Sequence, residues 1–440
     1  MWWPNGMFEP LYTAAEMKAA EEGHDVEELM QRAGGAVADE ILARFPAARS
    51  FAAVCGGGAN GGDGRIAAEL LRAAGWEERS LGDAEVVIDA LFGTGFEPPP
   101  REEAAAQIRA MKETGRPVVA VDIASGVDAS TGEVPGEAVD AAVTVTFHGR
   151  KVGHEVAPGR FRAGEVVVAD IGLVHGVTEH ARVTSEVARL VPRRQPGDTK
   201  YSASVLVVGG SPGMSGAVCL TAEAAFRADA GYVAVAAPPE VLPVVETRLL
   251  EAVKRPLDEA MEAAERVRAL AIGPGLGPDR DDLVHRLLQD TDLPAVIDAD
   301  GLRELRPFER EAPTVLTPHS GELGRLLGEE ASWVDSHRLE ALRRAVDGFR
   351  CVVVLKGEGT LVGAPGEGPL VAGGAAPLAT AGTGDVLTGV VASFLAKGME
   401  ARLAAAAAVR VHTDAVAASG RRSGLMASDL LDALPRVLDA

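Results

Sequence analysis

Short apolar runs that end in glycine or a polar loop recur along this chain: Phe51–Cys55, Glu85–Asp89, Pro117–Asp122, Ser204–Gly210, Ala269–Gly277, Ala295–Asp300, Thr314–Glu322 and Cys351–Thr360. They do not alternate apolar with polar residues, as strands with one wet face do. They read instead as parallel strands buried on both faces. Parallel neighbours need long crossovers, and helix-patterned stretches such as Arg65–Ala74 and Val218–Ala230 lie between the runs. The pattern predicts an α/β chain with doubly wound sheets, whose ligands sit at the carboxyl ends of the strands. A length of 440 residues exceeds one ordinary core. The charged, proline-containing stretch Thr178–Lys200 supplies a boundary and divides the chain into 1–181 and 182–440.

In the first half, Thr13 with Glu16 three residues on reads as a helix start, and Gly23 as a break within Thr13–Arg44. Gly56, Gly58 and Gly61 satisfy G-x-G-x-x-G between a strand and a predicted helix, a unit that cradles phosphate. A dinucleotide fold also wants a second strand ending in an acid, and Trp76–Leu81 is too short and charged to supply a convincing one. Asn60, Asp89, Asp122 and Ser125 stand at or beside strand ends and can converge on one site. Each Asp alone could merely cap a turn. As a set of hard oxygen donors without His or Cys, they suit K⁺ or Mg²⁺ over zinc.

In the second half, the small-residue loop Thr380–Gly384 leads into an apolar helix carrying Val386, Leu387, Val390, Val391, Phe394 and Leu395. Such a loop gathers backbone N–H groups around an anion. Asp385 beside it suits a general base for a hydroxyl under phosphoryl attack, or simply an acidic residue favoured by the helix dipole. Lys356 between strand and glycines suits a phosphate or a plain hairpin, and His319 after Thr-Pro is by default a turn residue. A net charge of −21 argues against nucleic acid and anionic membranes as partners. Cys55, Cys219 and Cys351 give neither a disulfide framework nor a zinc spacing, as expected of reduced thiols in a cytoplasmic protein. The opening Met1-Trp-Trp-Pro-Asn-Gly6 has no basic or apolar segment of a secretory leader. Ala404–Val411 is too short to span a bilayer.

The set Asn60-Gly-Gly-Asp-Gly64, Asp89-Ala-Leu-Phe-Gly-Thr-Gly95, Val121-Asp-Ile-Ala-Ser-Gly126, Thr131-Gly-Glu-Val-Pro-Gly136 and Ala163–Gly172 resembles the NAD(P)H-hydrate epimerase domain. The resemblance implies a Rossmann-like three-layer α/β/α domain with K⁺ at Asn60, Asp89 and Ser125. It implies contacts to a hydrated dinucleotide from Asn60, Gly61, Gly62 and Asp63, from Gly93, Thr94 and Gly95, and from Asp122. Asp122 is then the acid/base at the hydrated nicotinamide C6. Ala59 stands where that family usually has Asn, and Ala124 where it has Pro. The segment Gly75–Asp83 is shortened by about a strand and its connection.

Gly273-Pro-Gly-Leu-Gly277, His319, Lys356–Thr360 and Gly382-Thr-Gly-Asp385 together resemble the ADP/ATP-dependent NAD(P)H-hydrate dehydratase domain, a ribokinase-like α/β fold. That resemblance assigns Ala217, Gly277, His319 and Asp385 to the hydrated dinucleotide. It assigns Lys356, Gly357, Glu358, Gly359, Thr360 and Gly384 to ADP or ATP carried with Mg²⁺. Ser320 replaces a usual Pro, and Ala381 replaces a Gly, adding a Cβ expected to weaken nucleotide binding modestly. The two halves together are similar to bifunctional repair enzymes that epimerise NADHX or NADPHX and dehydrate the S form; the family also implies a homo-oligomer. Two other classes fit the residues: a ribokinase-like small-molecule kinase with a regulatory N-terminal domain, and a first half that binds dinucleotide or protein without catalysing.

Overall fold

The computed structural model describes residues 6–174 and 176–440, so the reading of residues 1–5 as lacking a secretory leader lies outside the described residues. Two compact units share the chain, the first built on Pro10–Ala181 and the second on Arg182–Val334 and Arg338–Ala440.

Strand β1 (Phe8–Tyr12) enters the first unit at Pro10, and helix α1 (Ala14–Glu21) follows. Thr13 Oγ1 accepts from Glu16 N at 3.3 Å and Glu16 Oε2 accepts from Thr13 N at 2.7 Å, the reciprocal cap its sequence predicts. After Gly23, helix α2 (Val26–Arg44) starts afresh on an Asp25 cap. Strands β2 (Ser50–Cys55), β3 (Glu77–Glu78), β4 (Val86–Ala90), β5 (Val118–Val121), β6 (Val143–Phe147) and β8 (Glu165–Ala169) form a parallel sheet in the order β3-β2-β4-β5-β6-β8. The short β7 (Arg150–Lys151) pairs instead with Leu11 and Tyr12 of β1.

Alternate residues of each strand enter two separate cores, so the sheet is the middle of three layers. Val86, Ile88, Val119 and Val121 pack with Leu29, Val37, Ile41 and Leu71 of the helices α2 and α3 (Ala59–Ala73). Val87, Val118 and Ala120 pack with Ile108 and Met111 of α4 (Glu102–Glu113). Each such fully buried aliphatic side chain contributes roughly 1.5–3 kcal/mol relative to exposure.

Three sequence expectations change here. Helix α3 starts at Ala59, not Arg65, so residues 60–64 form its first turns. The glycines serve close packing: a Cβ on Gly61 would lie 2.0 Å from the Gly56 carbonyl oxygen, and one on Gly64 would lie 2.3 Å from Ala90 Cβ. Trp76–Leu81 does supply a strand, the two-residue β3, paired with Ser50 and Phe51. Strand β6 is an addition, because its Val-Thr alternation matches neither the apolar runs nor a wet face; Thr144 and Thr146 are fully buried.

In the second unit, strands β9 (Ser204–Val208), β10 (Tyr232–Ala237), β11 (Val253–Pro256), β12 (Ala269–Ile272), β13 (Ala295–Ile297), β14 (Thr314–Leu316), β15 (Val352–Leu355), β16 (Thr360–Ala364) and β17 (Glu367–Gly373) run in the order β11-β10-β9-β12-β13-β14-β15-β16-β17. Pairing is parallel as far as β15. Beyond it β16 and β17 turn antiparallel, the first reversal coming at the hairpin that Lys356 with Gly357 and Gly359 could close. Helix α5 (Ser215–Arg227) begins three residues before the expected Val218. Helix α6 (Ser320–Leu327) follows β14, and α7 (Thr383–Ala396) runs beneath the sheet. From Val386 to Ala396 every residue of α7 is buried, so it is apolar all round and held on every side. Among the described residues no helix is long and apolar enough to cross a membrane.

Candidate active sites

The first unit has a cleft of about 790 Å³ at the carboxyl ends of β2, β4 and β5. Asn60, Asp63, Gly93, Thr94, Gly95 and Asp122 line it, so six expected substrate residues share one wall. Gly61 and Gly62 do not line it. Their backbone is buried in α3, where a Cβ on Gly62 would meet Met30 Cε. Phe92 and Phe96 stack at 4.3 Å along the loop after β4.

Asp122 ends β5 in the left-handed region, with φ 67°, which Asp tolerates better than most residues. Its carboxylate accepts from Lys151 Nζ at 2.5 Å and from Thr146 Oγ1 at 3.0 Å. Lys151 is fully buried and also donates to Thr146 Oγ1 and the Phe147 carbonyl. Burial alone would raise the Asp122 pKa, but the Lys151 charge and hydrogen bond outweigh it and hold the carboxylate below its ordinary range. His154 Nδ1 accepts from Lys151 N at 3.0 Å, so the proton sits on Nε2 and donates to the Asp122 carbonyl at 2.9 Å. Burial and the neighbouring Lys151 push His154 down to about 3, keeping it neutral. Sequence reasoning misses Lys151 and His154 because it misses β6. The signal for them is Arg150-Lys-Val-Gly-His154 directly after a Val-Thr run.

Asp63 faces the opposite influence. Burial, then the charges of Asp122 and Glu21, push it up to about 8. One cleft thus holds a neutral carboxylic acid and an ionised carboxylate, the separation that assigns acid and base roles.

Beneath the cleft, Asp89 is fully buried. Its carboxylate accepts from Ser125 Oγ at 2.6 Å and Ser125 N at 2.9 Å, and Phe92 N donates to Ser125 Oγ at 3.0 Å. Asn60 Nδ2 donates to the Phe92 carbonyl at 2.8 Å. These bonds gather Asp89, Ser125, Phe92 and Asn60 through hard oxygens. Asp89 ion-pairs with no cation among the described residues, and burial pushes it up to about 6. A buried, uncompensated carboxylate among oxygen donors fits a hard cation.

The second unit gathers its charge where α7 begins. Gly382 caps that helix at φ +88° and Asp385 lies in its first turn. Lys356 Nζ pairs with Asp298 Oδ1 at 2.6 Å and lies 3.7 Å from Glu322 Oε2. Thr388 Oγ1 of α7 donates to Asp298 Oδ2 at 2.8 Å. A Cβ on Gly384 would stand 3.4 Å from Lys356 Nζ and 3.7 Å from Asp298 Oδ2, so the start of α7 lies directly against this pair. Lys356, Gly384 and Asp385 are therefore together, with Asp298 as an unforeseen fourth member at the end of β13. Its signal is the acid closing Ala295-Val-Ile-Asp298.

Asp385 is pushed up to about 7, first by burial and then by the charge of Asp298, with Lys356 opposing. For Lys356, burial acts downward, but Asp298 and Glu322 hold it above the ordinary lysine range. Residues 356–359 form the loop of the β15–β16 hairpin, closed by Thr360 Oγ1 donating to the Gly357 carbonyl at 2.7 Å. The hairpin and the charged-site readings of Lys356 thus describe the same segment.

Ala217 packs against the glycine loop that carries Gly277. The Ala217 methyl lies 3.1 Å from the Cβ position of Gly275, and Gly277 N donates to Asp300 Oδ2 at 2.9 Å. His319 is the N-cap of α6: its Nδ1 accepts from Gly321 N at 3.0 Å, and Glu322 Oε2 accepts from His319 N at 2.8 Å. The ring itself is 59% exposed, so the cap leaves one edge open to a ligand.

A family profile described as NAD(P)H-hydrate dehydratase matches residues 205–436, and one described as YjeF-related protein N-terminus matches 26–81 and 77–153. The chain is 35% identical over 486 aligned positions to the bifunctional NAD(P)H-hydrate repair enzyme Nnr of Moorella thermoacetica, covering 93% of this chain and 92% of that one. It is 32% identical to the enzyme of the same name from Escherichia coli, covering 94% and 89%. Among solved structures it is similar to the ADP/ATP-dependent NAD(P)H-hydrate dehydratase from Bacillus subtilis co-crystallised with ATP/Mg²⁺. That protein is 30% identical with a TM-score of 0.54, over 58% of this chain and 96% of that one.

Proposed function

The chain belongs to the bifunctional NAD(P)H-hydrate repair enzymes, and from that premise we propose how its residues divide the work. Residues 1–181 epimerise R- and S-NADHX or NADPHX, and residues 182–440 dehydrate the S form to NADH or NADPH at the expense of ADP or ATP. The observation that carries the first assignment is that Asp63 and Asp122 line one cleft, with Lys151 donating to Asp122 at 2.5 Å and favouring its ionised form while burial favours the neutral form of Asp63. Carbon C6 bears both a hydroxyl and the ring nitrogen. Asp63 gives its proton to the departing hydroxyl, which leaves as water while the nitrogen lone pair stabilises C6. Water then adds from the other face and gives a proton to Asp122, which releases it to solvent as Asp63 takes one up, restoring both groups. K⁺ fits the oxygens of Asn60, Asp89 and Ser125, where it would offset the Asp89 charge and fix the loop after β4.

In the second unit Asp385 removes the C6 hydroxyl proton as that oxygen attacks the terminal phosphoryl group of the nucleotide. The backbone N–H groups of residues 382–384 hold the charge of the transferred group. Phosphate then leaves C6 and a proton leaves C5, restoring the ring double bond. Lys356, Gly357, Glu358, Gly359, Thr360 and Gly384 hold the nucleotide; Ala217, Gly277 and His319 hold the hydrate. Mg²⁺ carried with the nucleotide would offset the phosphate charge before the carboxylates that crowd this site, Asp298, Glu322 and Asp385.

A ribokinase-like small-molecule kinase with a regulatory first unit is not favoured, because relatives over nearly the full length are repair enzymes. The three cysteines carry no disulfide, which supports a cytoplasmic setting, and a homo-oligomer is carried over from the family. An R/S mixture of NADHX with ADP tests the whole reading through the absorbance of the reduced ring. Complete conversion requires both activities. Conversion of the S portion alone would show that the first unit is silent.

A further inference from the structure

The strand order of the first unit fixes which way a long substrate lies. The glycine loop follows β2, the chain crosses from there to β3 on one side, and β4 lies on the other. A dinucleotide spans such a reversal of strand order, with its pyrophosphate over the glycine loop. With the nicotinamide at Asp122 beyond β4, the adenosine half is directed across residues 56–59 toward β3.

A second cleft of about 560 Å³ lies on that side. Val54, Leu81, Ala106 and Ala110 give it apolar walls, and Arg79 stands on its rim. It shares Cys55 and Gln107 with the main cleft. The trimmed connection creates it. β3 pairs only with Ser50 and Phe51, and the segment from Arg79 to β4 holds no helix to cover the sheet there.

We propose that this second cleft is the adenosine subsite of the first unit, and that Arg79 reads the ribose 2′ position in favour of a 2′-phosphate. The apolar walls suit the adenine face. Arg79 directly follows β3, at the strand end where such sheets read the ribose. Its partner is Glu77 at 2.6 Å, an exposed pair that a doubly charged phosphate readily replaces. Glu78, also on the rim, is neutralised by Arg72 at 2.5 Å.

The subsite rests on the epimerase reading, so the experiment separates the two. Epimerisation by the unsubstituted full-length enzyme tests that reading first. Ala110→Phe, which fills the cleft, should then raise KM for both NADHX and NADPHX, while Arg79→Ala should raise only that for NADPHX, by about tenfold. An unchanged KM in Ala110→Phe overturns the subsite, and equal shifts for both substrates in Arg79→Ala overturn the 2′-phosphate preference. A binding arm needs no turnover. With the second unit saturated by ATP, adenosine 2′,5′-bisphosphate should bind the unsubstituted chain more tightly than 5′-AMP, and Ala110→Phe should abolish that binding. Binding that survives the substitution overturns the proposal.

Discussion

Lys151 Nζ meets Asp122 Oδ1 across 2.5 Å with no exposed surface on the lysine, a buried ion pair at the base of the first cleft. Only Asp122 was legible in the sequence, and the partner that was not, Lys151, holds its carboxylate ionised. Lys151→Met strands a buried carboxylate, which typically costs about 3–5 kcal/mol. Asp122 would lose the influence that lowers its pKa, so the low-pH limb of the epimerisation profile should move to higher pH. A pH–rate profile unchanged in shape, with only a lower melting temperature, would reduce Lys151 to a structural role.

Asp89 gives a second test. Asp89→Ala should abolish epimerisation and its dependence on K⁺, while ADP-driven dehydration of S-NADHX continues. Both rates are measured on the same preparation. Equal loss of both would show that the two activities do not belong to independent units.

Lys356→Ala should act twice. It removes the partner of the buried Asp298 and also the charge that opposes the upward shift of Asp385. The nucleotide KM should therefore rise more than that of NADHX, and the dehydration profile should shift to higher pH. A nucleotide KM that stays constant would leave Lys356 as a member of the β15–β16 hairpin and no more.

The sequence legibly placed the strand ends, and through them Asp89, Asp122 and Asp298's run, because apolar runs report burial directly; Asp385 was legible from the small-residue loop before the apolar α7. It did not reveal where helix α3 begins. Glycines ordinarily signal a loop, yet Gly61 and Gly64 are helical residues whose missing side chains admit the Gly56 carbonyl and Ala90. Nor did it reveal Lys151. A lysine beside an arginine looks like solvent-facing charge until β6 and β7 turn it inward. The Asp298–Lys356 pair joins residues far apart in sequence, and no spacing rule reaches it. His319 reads by default as a turn residue; it is a helix cap, and that accounts for its place whether or not it also touches substrate.

Asp385 provides the sharpest separation of function from stability. Its carboxyl is pushed up to about 7, so the basic form gains population as pH rises through that value. Dehydration by the unsubstituted enzyme should rise with pH over the same window, and Asp385→Asn should lower the rate by ~10²–10⁴-fold at its plateau. Stability should move the other way. A carboxyl whose folded pKa lies above its unfolded value favours folding when protonated, and that advantage is lost as pH rises through the folded value. Asn carries no such penalty, so above a pH of about 7 the variant's melting temperature should equal or exceed the original. Nucleotide affinity should change far less than turnover, because the anion-holding groups of residues 382–384 are backbone. Near-normal turnover with a reduced melting temperature would mean that Asp385 only stabilises the start of α7, and would remove it from the mechanism.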